Sequence, residues 1–512
     1  MSQTLVTLLS LRGNPFEHYT AETEPDIASY AVRPPYLQAI SDRVHGLSSF
    51  ILFGDRGAGK SATRITIYNE VWKHISVQDK RQPLVVNVTD FSAIQEAFKK
   101  DKLSDRDIVG IVAFAVIEQV IVWLSSLNQT DRDVYVDGLD ASERTLILAL
   151  IKGFYLSVPE TDRAVSTDDA LRLLNAAWMT KGAVWAAQNW QAISKVFAAV
   201  VNALSKKTID NATDISAPAE ELLKSLIGDT PNVSRAILSK LVEMVRSLPF
   251  SGIAVLIDKV DETPATAKSA EATARLIHPL LAHVQLLEVN GFSWVMFLWS
   301  NVKDHFNGEK LPVRLDKLAH ANIEWNASSL RGMLDARIQF YSEGKLVFRD
   351  IFESSVDVEA TFESLVSLAI SSPRELIKLM DTIFREHDAL LVEPPVLLNA
   401  RSLEIGQDKY VTETIEGFFP AKLLEQVFRL GRTAFVNKDV QSAFKIGDQS
   451  ARVKIKNWED IGLVRQSGTQ APSSEFGGQP AYRFVVSDAR VARIIDRKLV
   501  DTVGAGAEAE EA

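Results

Sequence analysis

A glycine-rich segment at residues 54–61 constrains this chain more than any other feature of its sequence. It reads Gly-Asp-Arg-Gly-Ala-Gly-Lys-Ser, fits the pattern G-x-x-x-x-G-K-[ST], and directly follows a largely apolar run at 49–53. Glycines let the backbone turn its N–H groups inward, while the closing ammonium and hydroxyl can neutralise phosphate and ligate a cation. A strand before the loop and a helix after it therefore predict a phosphate-binding turn.

The loop and the first helical turn after it supply the residues that we expect to bind ATP. The Lys60 ammonium would offset charge on the β- and γ-phosphates, and the Ser61 hydroxyl would ligate Mg²⁺. The expected nucleotide-binding residues are Gly54, Asp55, Arg56, Gly57, Ala58, Gly59, Lys60, Ser61 and Ala62.

A second apolar run, residues 253–257, ends at Asp258. A carboxylate that ends a buried strand next to such a loop can stand beside Mg²⁺, so Ser61 and Asp258 are the expected metal ligands. Asp261 and Glu262 follow directly, where a carboxylate could orient and deprotonate the attacking water. The sequence leaves open which of these two is catalytic.

The remaining apolar runs predict the fold. Runs of this length that are apolar throughout are typical of strands buried on both faces of a parallel sheet. The runs lie at 49–53, 84–88, 253–257 and 294–299, with a weaker fifth at 322–325. Between the second and third lie about 160 residues of helical pattern, far more than one crossover helix needs. The predicted fold class is α/β: a P-loop NTPase parallel sheet with a large helical insertion, a helical lid and a C-terminal winged-helix domain.

Five segments make up the predicted domain organisation. They are an N-terminal lead-in and adenine-side segment at 1–46, a P-loop ATPase core at 47–330 with the insertion at about 92–250, a helical lid at 331–410, a winged helix at 411–500 and a disordered acidic tail at 501–512.

The composition of the chain restricts the cellular environment and the kinds of partner that we expect for it. The 512 residues carry a net charge of −10 and no cysteine, which excludes disulfides, thiolate catalysis and zinc-thiolate sites and favours a cytoplasmic protein. The N-terminus lacks a basic region, so we expect no signal peptide. Residues 108–127 are apolar for the length of a membrane span but include Glu118 and Gln119, so we interpret them as a buried core helix and expect no membrane partner.

The spacing of Asp258, Asp261 and Glu262 resembles the STAND and NACHT branch of P-loop ATPases, which are relatives of AAA+ proteins. Lys259 stands where most AAA+ proteins have glutamate. The resemblance covers most of residues 14–385 outside the insertion. It implies a nucleotide-driven switch with low turnover and with a protein partner or effector, and it leaves a homo-oligomer open. The chain also resembles poorly characterised bacterial P-loop ATPases with a terminal winged helix, some of which act in phage defence.

The same resemblance implies roles for residues outside the two motifs. Asn301, after the fourth strand, would contact the attacking water, and Arg374, in the segment 371–376, would reach the γ-phosphate from the lid. Arg314 could act as an arginine finger toward a neighbouring subunit. A surface salt bridge for Arg374, and pairing of Arg314 with Asp316, are the alternatives.

Two short proline-containing segments resemble the lead-in that packs on adenine in these proteins. They are Asn14-Pro15-Phe16 and the stretch at 30–36. A proline-rich turn that caps the sheet is the alternative interpretation.

The predicted winged helix carries basic residues that could contact DNA phosphates. Acidic residues flank them, and in STAND proteins this domain commonly packs as a switch element, so a protein contact is the alternative. DNA binding would favour a different function, an ATPase of the origin-recognition or transposition-helper type. A scaffold that binds ATP without hydrolysis is a third option. The basic residues are Arg452, Lys454, Lys456, Arg465 and Arg483.

Overall fold

The structure is a computed structural model. It describes residues 4–24, 27–32, 35–75, 82–178, 190–209, 221, 232–266, 269–308, 310–390, 396–470 and 480–503. The chain divides into two compact units, one formed by Thr20–Glu324 and the other by Met1–Tyr19 together with Trp325–Ala512. Most of the predicted disordered tail, from residue 504 on, lies outside the described residues.

A five-stranded parallel sheet forms the centre of the unit Thr20–Glu324. Its spatial order is β2-β3-β4-β1-β5, which confirms the predicted α/β class. The strands are β1 (Phe50–Gly54), β2 (Leu84–Val88), β3 (Ile253–Ile257), β4 (Phe292–Trp299) and β5 (His320–Asn322).

The fifth strand begins before the run that predicted it. The apolar pattern predicted the strand at 322–325. In the structure, however, Ile51 of β1 pairs with His320 and Phe53 pairs with Asn322. The bounds of such a short edge strand depend on its backbone hydrogen bonds to the neighbouring strand as well as on its side chains. The pairing ends where the Ile323 amide donates to the Phe53 carbonyl at 2.7 Å.

The segment between β2 and β3 is helical in its described residues, as predicted. Residues 179–189 and 210–231, apart from residue 221, lie outside the described residues and include part of the predicted insertion. The α-helices in the described part of this unit are Ile27–Tyr30, Pro35–His45, Lys60–His74, Gln95–Lys99, Asp105–Ser126, Gln129–Gly138, Ala141–Leu150, Glu160–Trp178, Trp190–Ile209, Val233–Arg246, Ala270–Leu281, Val284–Leu287 and Val302–Phe306.

The long apolar helix Asp105–Ser126 is buried within this unit. A capping box starts it, because the Ser104 side chain accepts from the Asp107 amide while the Asp107 carboxylate accepts from the Ser104 amide. Among the described helices it is the one long and apolar enough to cross a membrane, yet 78% of its most apolar window is buried. It therefore packs as a core helix, as its sequence predicted.

The second unit is helical, and the first residues of the chain belong to it. The Asn14 amide donates to the Asp381 carboxylate at 2.7 Å, and Phe16 is fully buried with its ring edge-on to Phe384. The predicted lead-in of 1–46 is thus divided between the two units after Tyr19. The helices here are Leu5–Leu8, Ala327–Tyr341, Val358–Leu368, Pro373–Ala389, Ala400–Thr414, Ala421–Leu430, Asn437–Phe444, Asp448–Asp460 and Ala489–Asp496.

A small antiparallel sheet near the C-terminus has the order β6-β8-β7. Helix, strand, two helices and two strands follow one another between 421 and 486, which is the element order that the winged-helix prediction requires. Phe435, Phe484 and the fully buried Trp458 form its aromatic core. The predicted wing loop at 471–479 lies outside the described residues. The strands are β6 (Ala434–Val436), β7 (Val464–Gln470) and β8 (Ala481–Val486).

Candidate functional site

The glycine loop joins the end of β1 to the helix Lys60–His74. Gly57 and Gly59 have φ angles of 79° and 89°, a left-handed conformation that favours glycine. Gly59 is the N-cap of the helix, so the helix N-terminus opens onto the loop. The Lys60 ammonium bends back and donates to the carbonyls of Gly54 at 2.9 Å and Asp55 at 3.0 Å. Backbone amides, a helix N-terminus and an ammonium thus converge on one small turn.

Tyr36 lies beside this helix. Burial raises the pKa of its hydroxyl to about 12, against the opposing effect of a hydrogen bond with Thr63. The aromatic ring therefore stands next to the loop helix, in the segment for which the sequence predicted an adenine contact. Residues 33–34 of that segment lie outside the described residues, and the adenine role stays a prediction.

Asp258 follows β3 directly and is almost fully buried. Its Oδ2 accepts from the Arg64 Nε at 3.1 Å, and its Oδ1 accepts from the Lys259 amide at 2.9 Å. Arg64 lies one turn after Ser61 on the same helix face, so the carboxylate stands against the helix that carries the hydroxyl. The structure brings the two predicted metal ligands to the same edge of the sheet.

A hydroxyl and a carboxylate fit Mg²⁺, which takes oxygen ligands and usually keeps phosphate and water in its shell. In the part of the chain that the structure describes, no group of three or more His, Asp or Glu side chains could hold a metal without such help. The predicted binding of Mg²⁺ by Ser61 and Asp258 stays a prediction.

Sequence reasoning missed an ion network around Asp258 that is centred on the buried side chain of Arg64. Arg64 is 2% exposed and donates to Asn87 Oδ1 and Glu22 Oε1, each at 2.9 Å. The Lys259 ammonium lies 3.0 Å from the same Glu22 oxygen. An asparagine inside the otherwise apolar strand β2 was the one sequence signal that could have indicated a polar partner there.

The two candidate catalytic carboxylates have different surroundings. The Asp261 side chain is 5% exposed and accepts from the Arg56 Nε at 3.0 Å, whereas Glu262 is exposed. The Glu262 amide donates to the Lys259 carbonyl at 3.1 Å, which closes a hydrogen-bonded turn. Both residues lie at the edge that carries the glycine loop, and the structure leaves their catalytic assignment a prediction.

Asn301 lies just beyond the same edge. Strand β4 pairs with β1 so that Trp299 is opposite Gly54, and the Ser300 amide donates to the Gly54 carbonyl at 3.3 Å. Asn301 is exposed and caps the short helix Val302–Phe306. Its position agrees with the predicted water contact, which stays a prediction.

Arg314 and Arg374 occur in different units. Arg314 makes two hydrogen bonds to Asp316, at 2.9 and 2.8 Å, and both side chains are exposed, so the pairing alternative describes it in this structure. Arg374 is half-buried in the first turn of Pro373–Ala389, behind a proline and the N-cap Ser372. The predicted γ-phosphate contact of Arg374 stays a prediction.

The basic residues of the predicted winged helix do not form one face. Lys454 points inward, where it donates to Gln426 Oε1 at 3.0 Å and lies over the Phe444 ring. Burial, with the charges of nearby cations, lowers the pKa of this ammonium. Arg452 pairs with Asp448 at 3.0 Å. The other basic side chains, Lys456, Arg465 and Arg483, are exposed.

The sheet order and the loop geometry identify a fold class. The fold is that of a P-loop NTPase. No protein-family model matches the chain, and no curated protein does.

The solved structures similar to this chain include two of the ORC2 protein of Aeropyrum pernix. The structure of its ADPNP–ADP complexes has a TM-score of 0.39 and 11% identity, and the match covers 93% of this chain and 99% of that one. The structure of its ADP form has a TM-score of 0.36 and 11% identity, with 94% and 98% covered. Similarity this low carries no conclusion about function, so the proposals below depend on the residues themselves.

Proposed function

We propose that this chain binds Mg-ATP and hydrolyses it slowly, so that its nucleotide state acts as a switch. The observation that carries the proposal is the loop itself, with Gly57 and Gly59 at positive φ and Lys60 facing the turn at a helix N-terminus. Ser61 and Asp258 would hold Mg²⁺, and Asp261 or Glu262 would orient water. The proposed nucleotide is ATP, and Mg²⁺ is the cation that would accompany it. Residues 54–62 would bind the phosphates.

The switch would act through the helices that follow the core. Arg374, at the start of a 17-residue helix, would contact the γ-phosphate and lose that contact after hydrolysis. An Arg374→Ala variant should then bind ADP like the wild type but lose most of its preference for ATP. Equal ATP and ADP affinities in the wild type would remove the basis of this step.

Phosphate release from Mg-ATP by the purified full chain tests the enzymatic part. We expect slow, Mg²⁺-dependent release that Lys60→Ala abolishes, because the ammonium offsets charge on the transferred group. A wild-type protein that binds Mg-ATP and releases no phosphate would support the scaffold alternative instead.

One observation favours a second candidate, a DNA-binding ATPase. Strands β7 and β8 form a hairpin that is largely exposed and carries Arg465, Arg483 and the 62% exposed Tyr482. Cationic and aromatic side chains on a projecting hairpin suit contact with a nucleic acid backbone.

Binding of double-stranded DNA at several salt concentrations tests this candidate. Arg465→Ala together with Arg483→Ala should weaken binding and reduce the slope of log K against log salt by about 2. Lys454→Met is the matched control, since Lys454 faces Gln426 and Phe444 rather than solvent. Affinity unaffected by the paired arginine changes would favour a protein contact for this hairpin.

The predictions from the sequence about the branch of P-loop ATPases and about the biological role remain proposals. The STAND and NACHT branch depends on the spacing of Asp258, Asp261 and Glu262 alone. A role in phage defence, a protein effector and a homo-oligomer depend on the resemblance alone. Protection of cells against phage by this chain with its genomic neighbours, lost in Lys60→Ala, is the outcome that would support the defence role.

A further inference from the structure

The buried side chain of Arg64 joins three segments of the chain around Asp258. Its Nε donates to Asp258 Oδ2 at 3.1 Å. Its Nη1 and Nη2 donate to Asn87 Oδ1 and Glu22 Oε1, each at 2.9 Å. Each guanidinium nitrogen is thus bound to a different segment: the end of β3, the strand β2 and the segment before the first helix of this unit. Displacing the guanidinium would break all three bonds.

The Asp258 carboxylate needs a counter-charge where it lies. Its side chain and that of Arg64 are each 2% exposed, so water solvates neither charge. A buried carboxylate without a cationic partner strongly destabilises a protein, and Arg64 supplies that partner at Oδ2. The other oxygen, Oδ1, accepts from the Lys259 amide at 2.9 Å. Both oxygens of this predicted metal ligand are therefore bound by the chain itself.

A second ion pair balances the charges around Asp258. The Lys259 ammonium lies 3.0 Å from the Glu22 oxygen that accepts from Arg64. Two carboxylates and two cations thus form one network, the Arg64 network, in which the formal charges cancel. Its members are Glu22, Arg64, Asp258 and Lys259. A divalent cation that approached Asp258 would meet a neutral network rather than a pair of acids, so the network opposes its binding.

We propose that Arg64 is a positioning residue that acts through Asp258 as the internal counter-cation of this site. It fixes the carboxylate and keeps a free divalent cation from binding there until the phosphates of a nucleotide add their negative charge. The inference rests on the proposed Mg-ATP site and adds what holds that site before nucleotide binds. Ser61, the other predicted ligand, lies one turn before Arg64 on the same helix face.

The experiment titrates Mn²⁺ into the full chain without nucleotide and follows free aqueous Mn²⁺ by electron paramagnetic resonance. Mn²⁺ suits the same carboxylate and water oxygens as Mg²⁺. The wild type should bind Mn²⁺ weakly, without saturation in the low millimolar range. Arg64→Met should bind it at least about 10-fold more tightly, because Asp258 and Glu22 then lack the cation that they share.

Three further variants separate charge from packing and locate the gain in affinity. Arg64→Lys keeps the positive charge and should bind Mn²⁺ as weakly as the wild type. Arg64→Met combined with Asp258→Asn should lose the gain. Arg275→Met is the matched control: it removes the same charge from an ion pair with Asp101 whose side chains are 42% and 79% exposed, so Mn²⁺ affinity should not change.

Lys259→Met keeps the inference testable if circular dichroism shows that Arg64→Met does not fold. The Lys259 side chain is 31% exposed, and its loss removes one positive charge from the same network. This variant should also gain Mn²⁺ affinity, by less than Arg64→Met, and should lose the gain with Asp258→Asn. A Lys259→Met affinity equal to that of the wild type would count against the inference.

Two results would overturn the inference outright. One is saturation of the nucleotide-free wild type by Mn²⁺ in the low millimolar range, and the other is a gain in Arg64→Lys as large as that in Arg64→Met. Calorimetry with ATP reports separately on the proposed function. A wild type that binds no ATP, with or without Mg²⁺, refutes that function, whereas the Mn²⁺ titrations contain no nucleotide and still decide the role of Arg64. A wild type that binds Mg-ATP, with no gain of Mn²⁺ affinity in Arg64→Met, refutes this inference alone.

Discussion

Gly54, the last residue of β1, is packed closely against the side chain of Ile323. A Cβ placed there would lie 2.9 Å from the Cδ1 of Ile323 and 3.2 Å from its Cγ1. Ile323 follows the edge strand β5 and is buried, so its side chain has to shift within a packed environment to make room. The close approach of Ile323 thus favours glycine at the first position of the loop.

Gly54→Ala should therefore destabilise the protein by about 1–3 kcal/mol, as overpacking of a close-packed interior does. Ile323→Val removes the nearest carbon, so Gly54→Ala with Ile323→Val should recover part of the loss relative to the two single changes. Chemical denaturation followed by tryptophan fluorescence measures the free energy of unfolding. Strictly additive effects of the two substitutions would contradict this packing account.

At the residue scale, the sequence predicted those parts of the site that are contiguous. The loop was found because its glycines, lysine and serine lie within eight positions of one another. The bonds of Arg64 to Glu22 and to Asp258 span 42 and 194 positions, so no local pattern could indicate them. The same holds for the contact of Arg56 with Asp261, which spans 205 positions.

At the scale of elements, the helix Asp105–Ser126 contains an acid in its buried face. The Glu118 carboxylate accepts from Ser166 at 2.8 Å and from Thr167 at 2.9 Å, both on the helix Glu160–Trp178. Burial raises the pKa of the Glu118 carboxyl from 4.5 to about 7, although the two hydroxyls act in the opposite direction. One carboxyl therefore joins two helices of the insertion at a pH-dependent contact.

The helix pair should be less stable when Glu118 is charged. Since the folded state binds this proton more tightly, the stabilisation is complete below pH 4.5 and is lost as pH rises through about 7. The full effect is on the order of 3 kcal/mol at 1.36 kcal/mol for each pKa unit.

Glu118→Gln should therefore be more stable than the wild type above pH 7 and should flatten the fall in stability between pH 5 and pH 8. Denaturation midpoints across this pH range measure the effect. The control is Glu288→Gln, at an exposed glutamate of the same unit, which should follow the wild-type curve. A Glu118→Gln curve parallel to the wild type would contradict a raised pKa.

The sequence predicted strands correctly where the apolar runs were long. It failed where contacts with distant residues determine the bounds of a strand or the direction of a side chain. Strands β1 to β4 follow from their continuous apolar residues, but the edge strand β5 is set by its pairing with β1. On the third helix of the winged-helix segment, Lys454 was grouped with the basic residues that could contact DNA. Phe444 and Gln426, on the two preceding helices, direct it inward instead.

At the scale of the whole chain, the first described residues pack in the same unit as the C-terminal part of the chain. Phe16 is fully buried against Phe384, and the Pro15 carbonyl accepts from Arg337 at 2.5 Å. Sequence proximity favoured a lead-in continuous with the ATPase core, because no periodic pattern indicates which distant helix a short segment contacts. The described residues of this segment, 4–19, therefore contribute to the stability of helices more than 300 positions away.

Phe16→Ala should lower the free energy of unfolding of this unit by about 3–5 kcal/mol, as loss of a buried phenyl ring does. Thermal unfolding followed by far-ultraviolet circular dichroism would show an earlier transition of the helical unit. Val453→Ala, at a 55% exposed valine of the same unit, is the control and should unfold like the wild type. An unchanged transition in Phe16→Ala would contradict the packing of the first segment on these helices.

Binding of Mg-ATP to the full chain, measured by titration calorimetry, tests the central claim most directly. The wild type should bind one nucleotide per chain, and Lys60→Ala, checked for intact folding by circular dichroism, should show no measurable binding. Lys100→Ala, which removes an exposed ammonium of the same unit, should bind like the wild type. Binding by Lys60→Ala as tight as that of the wild type would place the nucleotide elsewhere and contradict the account.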